Sequence, residues 1–159
     1  MGKVDLKELA EQMDCMMDEW SYYVNKKTGE ILSIADRHIS FAENPENIPE
    51  KIAGWERNEI EQAAAILDGW ADLIRFPSKY DMNEYRMMEG FIRTVRDLHT
   101  RDCLEVAIEG RGAFKRFKDT AHRFGVIDDW YEYKNRALLA YAKEWCEWNG
   151  LQYNYESVK

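Results

Sequence analysis

Apolar residues recur at helical spacing over much of the chain and alternate only in short stretches. Leu6, Leu9, Met13 and Met16 or Met17 mark an amphipathic helix over about residues 4–17. Trp20 to Val24 is aromatic and β-branched and reads as a strand. Asn25-Lys26-Lys27-Thr28-Gly29 reads as a turn with Gly29 at positive φ, and Glu30 to Ala35 as the returning strand of a hairpin. Residues 43–50 form a polar loop punctuated by prolines. Asn58 to Leu67 is a helix with Ile60, Ala63, Ala64 and Leu67 inward, and Ala71 to Phe76 a third strand stopped by Pro77. Asp81 is placed to cap a helix, with Glu84 completing a capping box and Tyr85, Met88, Ile92 and Val95 as the buried stripe. Leu104, Ala107 and Ile108 mark a helix over about 99–109, and the LQYNY stretch after Gly150 a short final strand.

The densest pattern lies between Gly110 and Gly150. Phe114, Phe117, Ala121 and Phe124 form one apolar stripe, bounded by Gly112 and by Gly125 in the place of a helix-ending glycine. Asp128 and Asp129 then open a second helix at the positive end of its dipole. Trp130, Ala137, Tyr141, Trp145 and Trp148 form its core-facing stripe, and Gly150 ends it. The strands do not alternate with the helices. The expected architecture is therefore α+β, with five or six helices packed around a small antiparallel sheet that includes an N-terminal β-hairpin.

The run G-R-G-A-F-K-R-F-K-D, followed by W-Y-E-Y-K and E-W, resembles a bacterial family of unknown function, uncharacterised protein family 0158. The upstream F-P-S-K-Y-D-M-N-E-Y-R-M-M-E-G-F and the early Y-V-N-K-K-T-G-E are similar to that family's pattern too. The resemblance is best over residues 70–150 and weaker over 36–56. It implies no activity, because the family has none to carry over.

Length and composition narrow the class. The 159 residues suit a single globular domain, expected over residues 1–159. Hydrophobic content of 45% with six Trp, nine Tyr and six Phe excludes a disordered chain. A net charge of −8 disfavours broad, non-specific nucleic-acid binding. Cys15, Cys103 and Cys146 form no CxxC pair and fit buried free thiols in a reducing cytosol. The first residues, MGKVDLKELAEQ, hold no apolar signal core, and no run is long and apolar enough to span a membrane. The expected location is cytoplasmic, and no oligomeric state follows from the sequence.

No nucleophile elbow, P-loop, dinucleotide fingerprint, zinc-protease helix or EF-hand loop is present, so no catalytic residue, cofactor or metal is assigned. His99 and Cys103 stand one helical turn apart, a spacing that suits one metal ion, but two further ligands are missing. Glu105 and Glu109 read as a solvated acidic face. Gly110-Arg111-Gly112 suits an anion nest at a helix start, but better suits a tight turn between helices.

Two functional readings survive. The first is a non-enzymatic interaction or regulatory module that binds a protein partner. The second is an anion- or nucleic-acid-binding protein using the basic helix 111–123. The candidate binding surface comprises Arg111, Lys115, Arg116, Lys118, Trp130, Tyr131 and Tyr133. At about 100° per residue, Lys118 and Arg116 flank the phenylalanine stripe on opposite sides, and Lys115 points outward. Arg116 is therefore expected to act structurally, pairing with a carboxylate of a neighbouring helix, for which the 128–132 segment is the candidate.

Overall fold

The structure is a computed structural model that describes residues 2–155. The fold is α+β. Its elements run β1 (Val4–Asp5), α1 (Leu6–Asp14), β2 (Trp20–Asn25), β3 (Ile31–Ala35), α2 (Asp36–Glu43), α3 (Gly54–Asp68) and β4 (Leu73–Arg75). There follow α4 (Lys79–Met82), α5 (Glu84–Thr94), α6 (Leu98–Ala107), α7 (Ala113–Arg123), α8 (Ile127–Trp148) and β5 (Tyr153–Asn154). The chain divides into two compact units. One holds the residues up to Phe76 together with those from Ala142 on; the other is Pro77–Tyr141.

In the first unit, β2 and β3 form the expected hairpin, with Tyr22 opposite Ser33 and Val24 opposite Ile31. Its turn is built as the residues dictate. The Asn25 side chain accepts from the amides of Lys27 and Thr28, and Gly29 sits at φ 76°. β4 joins β2 antiparallel, giving the order β3-β2-β4. It is shorter than expected because residues 70–72 wind into a 3-10 turn. The final strand exists as β5, but its partner is β1 and the pairing is parallel. That pairing takes Val4 and Asp5 out of the first helix, which starts at Leu6 with Asp5 as its cap. Tyr22, Phe76 and Trp145 meet as stacked and edge-on rings.

The 36–56 stretch, of which the sequence assigned only the loop at 43–50, contains α2, a 3-10 turn at Pro45–Asn47 and the start of α3. No residue of α2 is fully buried, so it carries no deep apolar stripe to betray it.

The second unit has its own core. Met88, Phe91, Ile92, Val95, Leu104, Ile108, Phe117, Ala121 and Trp130 are all buried in it. Phe117 and Trp130 meet edge to face at 4.9 Å between ring centroids. The capping box lies three residues upstream of its expected place. Ser78 and Asp81 satisfy each other's amides at the start of α4, whereas Asn83, in the left-handed region, caps α5. The α7 stripe also shifts. Ala113, Phe117 and Ala121 face inward, whereas Phe114 is 47% exposed. In α8, Trp130 and Trp145 are buried as expected, joined by Leu138, Ala142 and Cys146, but Trp148 is 68% exposed.

Both predicted helix-ending glycines do that work. At α7, the Val126 amide donates to Ala121 and that of Gly125 to His122; at α8, Leu151 donates to Cys146 and Gly150 to Glu147. This is the Schellman pattern, with Gly125 at φ 70° and Gly150 at 66°.

Candidate interaction surface

The basic helix is α7, and its arginine at 116 is already engaged. Arg116 Nε donates to the carbonyl of Ala107 at 3.0 Å, and its two terminal nitrogens donate to the carbonyls of Glu109 and Arg111. Tyr85 Oη donates to the intervening Ile108 carbonyl at 3.0 Å. Helix α6 ends here with carbonyls that have no partner within the helix, and a planar guanidinium fork suits several at once. The role expected of Arg116 is thus structural, but its partners are backbone carbonyls rather than a carboxylate of 128–132. Gly110 and Gly112, at φ 72° and 75°, make the turn whose carbonyls converge on the fork. A Cβ at Gly112 would stand 3.0 Å from Arg116 Nη1. The Gly110-Arg111-Gly112 stretch is therefore a cation-holding turn.

The same device occurs one helix earlier. Arg101 of α6 donates from Nε and Nη2 to the Val95 carbonyl, at 3.0 and 2.7 Å, where α5 ends.

The remaining predicted surface residues separate. Arg111, Lys115 and Lys118 are exposed, as is Tyr131 at 44%. Trp130 is completely buried and offers no surface. Among the described residues its indole N–H has no hydrogen-bond acceptor, and it lies among the rings of Phe91, Phe117 and Tyr133. Tyr133 is half-buried, and its hydroxyl occupies the place a Cβ at Gly90 would take.

Four exposed tryptophans stand in the first unit, where sequence reading placed no binding surface. Trp20 is 40% exposed, Trp55 69%, Trp70 73% and Trp148 68%. Each sits where no inward stripe holds it: a strand start, the first turn of α3, the 3-10 turn and the last residue of α8. The signal was a negative one, since Trp55 and Trp70 belong to no apolar periodicity.

Trp20 borders a cavity of about 600 Å³ lined also by Glu19, Asp36, Arg37, His38 and Glu56. The Glu56 carboxylate of α3 joins Arg37 Nη2 and His38 Nε2 of α2, each at 3.2 Å. Asp36 accepts from Ser21 Oγ at 2.5 Å. Glu19, at φ 67°, bends the chain into β2. The carboxylates of Glu56 and Asp36 are thus engaged by their own fold. Among the described residues, no three of His, Cys, Asp or Glu are placed to hold a metal ion. No described helix is long and apolar enough to cross a membrane.

Asp97, Cys146 and Tyr153 depart from ordinary ionisation behaviour. Hydrogen bonds from the Thr100 hydroxyl and amide hold Asp97, the cap of α6, below the usual carboxylate value. Burial, reinforced by Glu147, pushes the Cys146 thiol up to about 11. The bond from Tyr153 to Glu147 raises the tyrosine.

Comparison with known proteins agrees with the motifs. A UPF0158 protein of Pseudomonas aeruginosa is 34% identical to the chain over 67 residues, covering 42% of this chain and 44% of that protein. The alignment thus spans less than half the length of that curated relative. No solved structure matches. The profile of the uncharacterised protein family UPF0158 matches residues 3–158, nearly the whole length, and the chain belongs to that family.

Proposed function

We propose that this chain is a non-enzymatic interaction module of the cytoplasm that binds a protein partner through the tryptophans of its first unit. The observation that carries the reading is the exposure of Trp20, Trp55, Trp70 and Trp148, four of the six tryptophans. Burying a large apolar side chain is worth about 1.5–3 kcal/mol. Tryptophan is also enriched among the residues that dominate protein interfaces. The free thiol of exposed Cys15 supports a reducing compartment.

The alternative is an anion- or nucleic-acid-binding protein using helix 111–123. It retains the exposed cations Arg111, Lys115 and Lys118 and the exposed Tyr131. It has lost Arg116 to backbone carbonyls and Trp130 to the core, which leaves few convergent donors.

Site-specific photo-crosslinking tests the first reading. Photoreactive residues at Glu59 and Asp68, near Trp55 and Trp70, are compared with one at exposed Tyr80 of the second unit. The expected result is one protein captured from both first-unit positions and not from Tyr80. Reconstituted with that protein, Trp55→Ser and Trp70→Ser should each weaken binding by about tenfold or more, as for interface anchors. Unchanged affinity in both variants rejects the tryptophan surface. Affinity for an oligonucleotide that falls steeply with salt, and with Lys115→Glu, supports the alternative.

A further inference from the structure

The second unit carries a thiol that neither reading uses. Cys103 and His99 stand one turn apart on α6, and Cys103 Sγ lies 3.8 Å from His99 Nε2, within reach of a sulfur hydrogen bond. His99 packs edge-on against Phe124, with ring centroids 5.6 Å apart, which fixes the imidazole beside the sulfur. Both residues line an open groove of about 530 Å³ between α6 and α7. The charged groups facing the pair are Asp102 on α6 and Arg116, Asp119 and Arg123 on α7, two of each sign. Asp97, at the start of α6, also feels the charge of His99.

The other two cysteines provide the contrast. Cys146 is buried, and its thiol is pushed up to about 11. Cys15 is exposed at the end of α1, and no imidazole contact is formed there among the described residues. Cys103 alone joins access, a base and a cavity large enough for a small molecule.

We propose that Cys103, with His99 as its base, is a thiol–disulfide exchange site that takes up low-molecular-weight thiols as mixed disulfides. His99 Nε2 accepts the thiol proton. The Cys103 thiolate attacks one sulfur of a small disulfide, RSSR, forming a new S–S bond as the old one breaks. The leaving RS⁻ takes the proton from the imidazolium. The balance is Cys103–SH + RSSR → Cys103–SSR + RSH, so Cys103 is oxidised and half of the disulfide is reduced. The facing charges cancel formally, so the groove imposes no strong preference for a charged disulfide.

The test uses the full chain, reduced and then treated with uncharged hydroxyethyl disulfide. Samples are quenched in acid, and the three cysteine peptides are quantified by mass spectrometry. At about pH 6.5, where an unassisted thiol is largely protonated, Cys103 should react about tenfold faster than Cys15. His99→Gln should slow Cys103 about fivefold or more there. It should make little difference at about pH 9.5, where exposed thiols ionise unaided. A merely structural His99 would not produce that pH dependence. If Cys103 reacts no faster than Cys15 at the lower pH, the proposal is wrong. That comparison needs only the unmodified chain, so it decides the matter even if a variant misfolds. An unchanged Cys103 rate in a folded His99→Gln protein overturns the role of the imidazole.

Discussion

Arg116 shows how a single side chain can be misjudged by its charge. On a basic helix it looks like a ligand-binding cation, yet its guanidinium closes the end of α6 through three carbonyls. Arg116→Glu leaves those carbonyls without donors and should cost on the order of 1–3 kcal/mol in denaturant unfolding. Lys115→Glu, on the outer face, should stay within about 0.5 kcal/mol. Arg116→Lys should behave more like the glutamate variant than like wild type, because one ammonium cannot reproduce the fork. The wheel geometry of α7 made a structural Arg116 legible in the sequence. Its partners were not, because unpaired carbonyls leave no residue-type signature. Asp97 yields a pH prediction. Its folded-state value lies below the ordinary 3.8, so its contribution is present above that value and is lost as pH falls through the lower, folded one. Asp97→Asn keeps a capping acceptor but no longer titrates. Its melting temperature should fall less steeply than that of wild type on acidification below about pH 4.

At the scale of elements, α2 and α3 are joined by one carboxylate. Glu56 accepts from both Arg37 and His38, and the side chains of His38 and Glu56 are only 12% and 13% exposed. Glu56→Gln keeps the size but weakens both charge-assisted bonds. Thermal unfolding should show a loss of about 1–2 kcal/mol, whereas the same change at exposed Glu59 should do almost nothing. The elements legible from sequence were those whose apolar residues are buried on one face: α1 through Leu6, Leu9 and Met13, and α5 through Met88 and Ile92. Glycine punctuation fixed the ends of α7 and α8. Helix α2 was illegible because Ile39, Phe41 and Ala42 are only half-buried and none of its residues is fully buried. Phe114 misled for the opposite reason, since its spacing matches the stripe but the alanines at 113 and 121 take the inner face. Trp55 and Trp70 escape such a reading because they belong to no apolar periodicity, whereas Trp148 misled as Phe114 did, matching a stripe yet standing 68% exposed.

For the whole molecule, cooperative stability turns on the single element α8. It is one uninterrupted helix from Ile127 to Trp148, yet Ile127–Tyr141 belongs to the second unit and Ala142–Trp148 to the first. Each portion carries buried residues of its unit: Trp130 and Leu138 in one, Ala142, Trp145 and Cys146 in the other. If one unit melted alone, the helix would have to end midway. The Ala142–Trp148 portion is far shorter than the roughly 12–15 residues at which an isolated helix becomes even marginal in water. Melting of the second unit alone therefore leaves the first with a stub too short to persist by itself, and the chain should unfold as the single domain expected from its sequence. Far-UV ellipticity and tryptophan fluorescence should give coincident thermal transitions. Ala140 is exposed in α8, two residues from the point where the units divide. Ala140→Pro removes one amide donor, clashes with the preceding turn and costs about 3 kcal/mol or more. It should lower the melting temperature and separate the two probes, because the helix can then end at the boundary without further loss. Non-coincident transitions in the unsubstituted chain, or an Ala140→Pro protein that melts like it, would show that the continuity of α8 couples nothing.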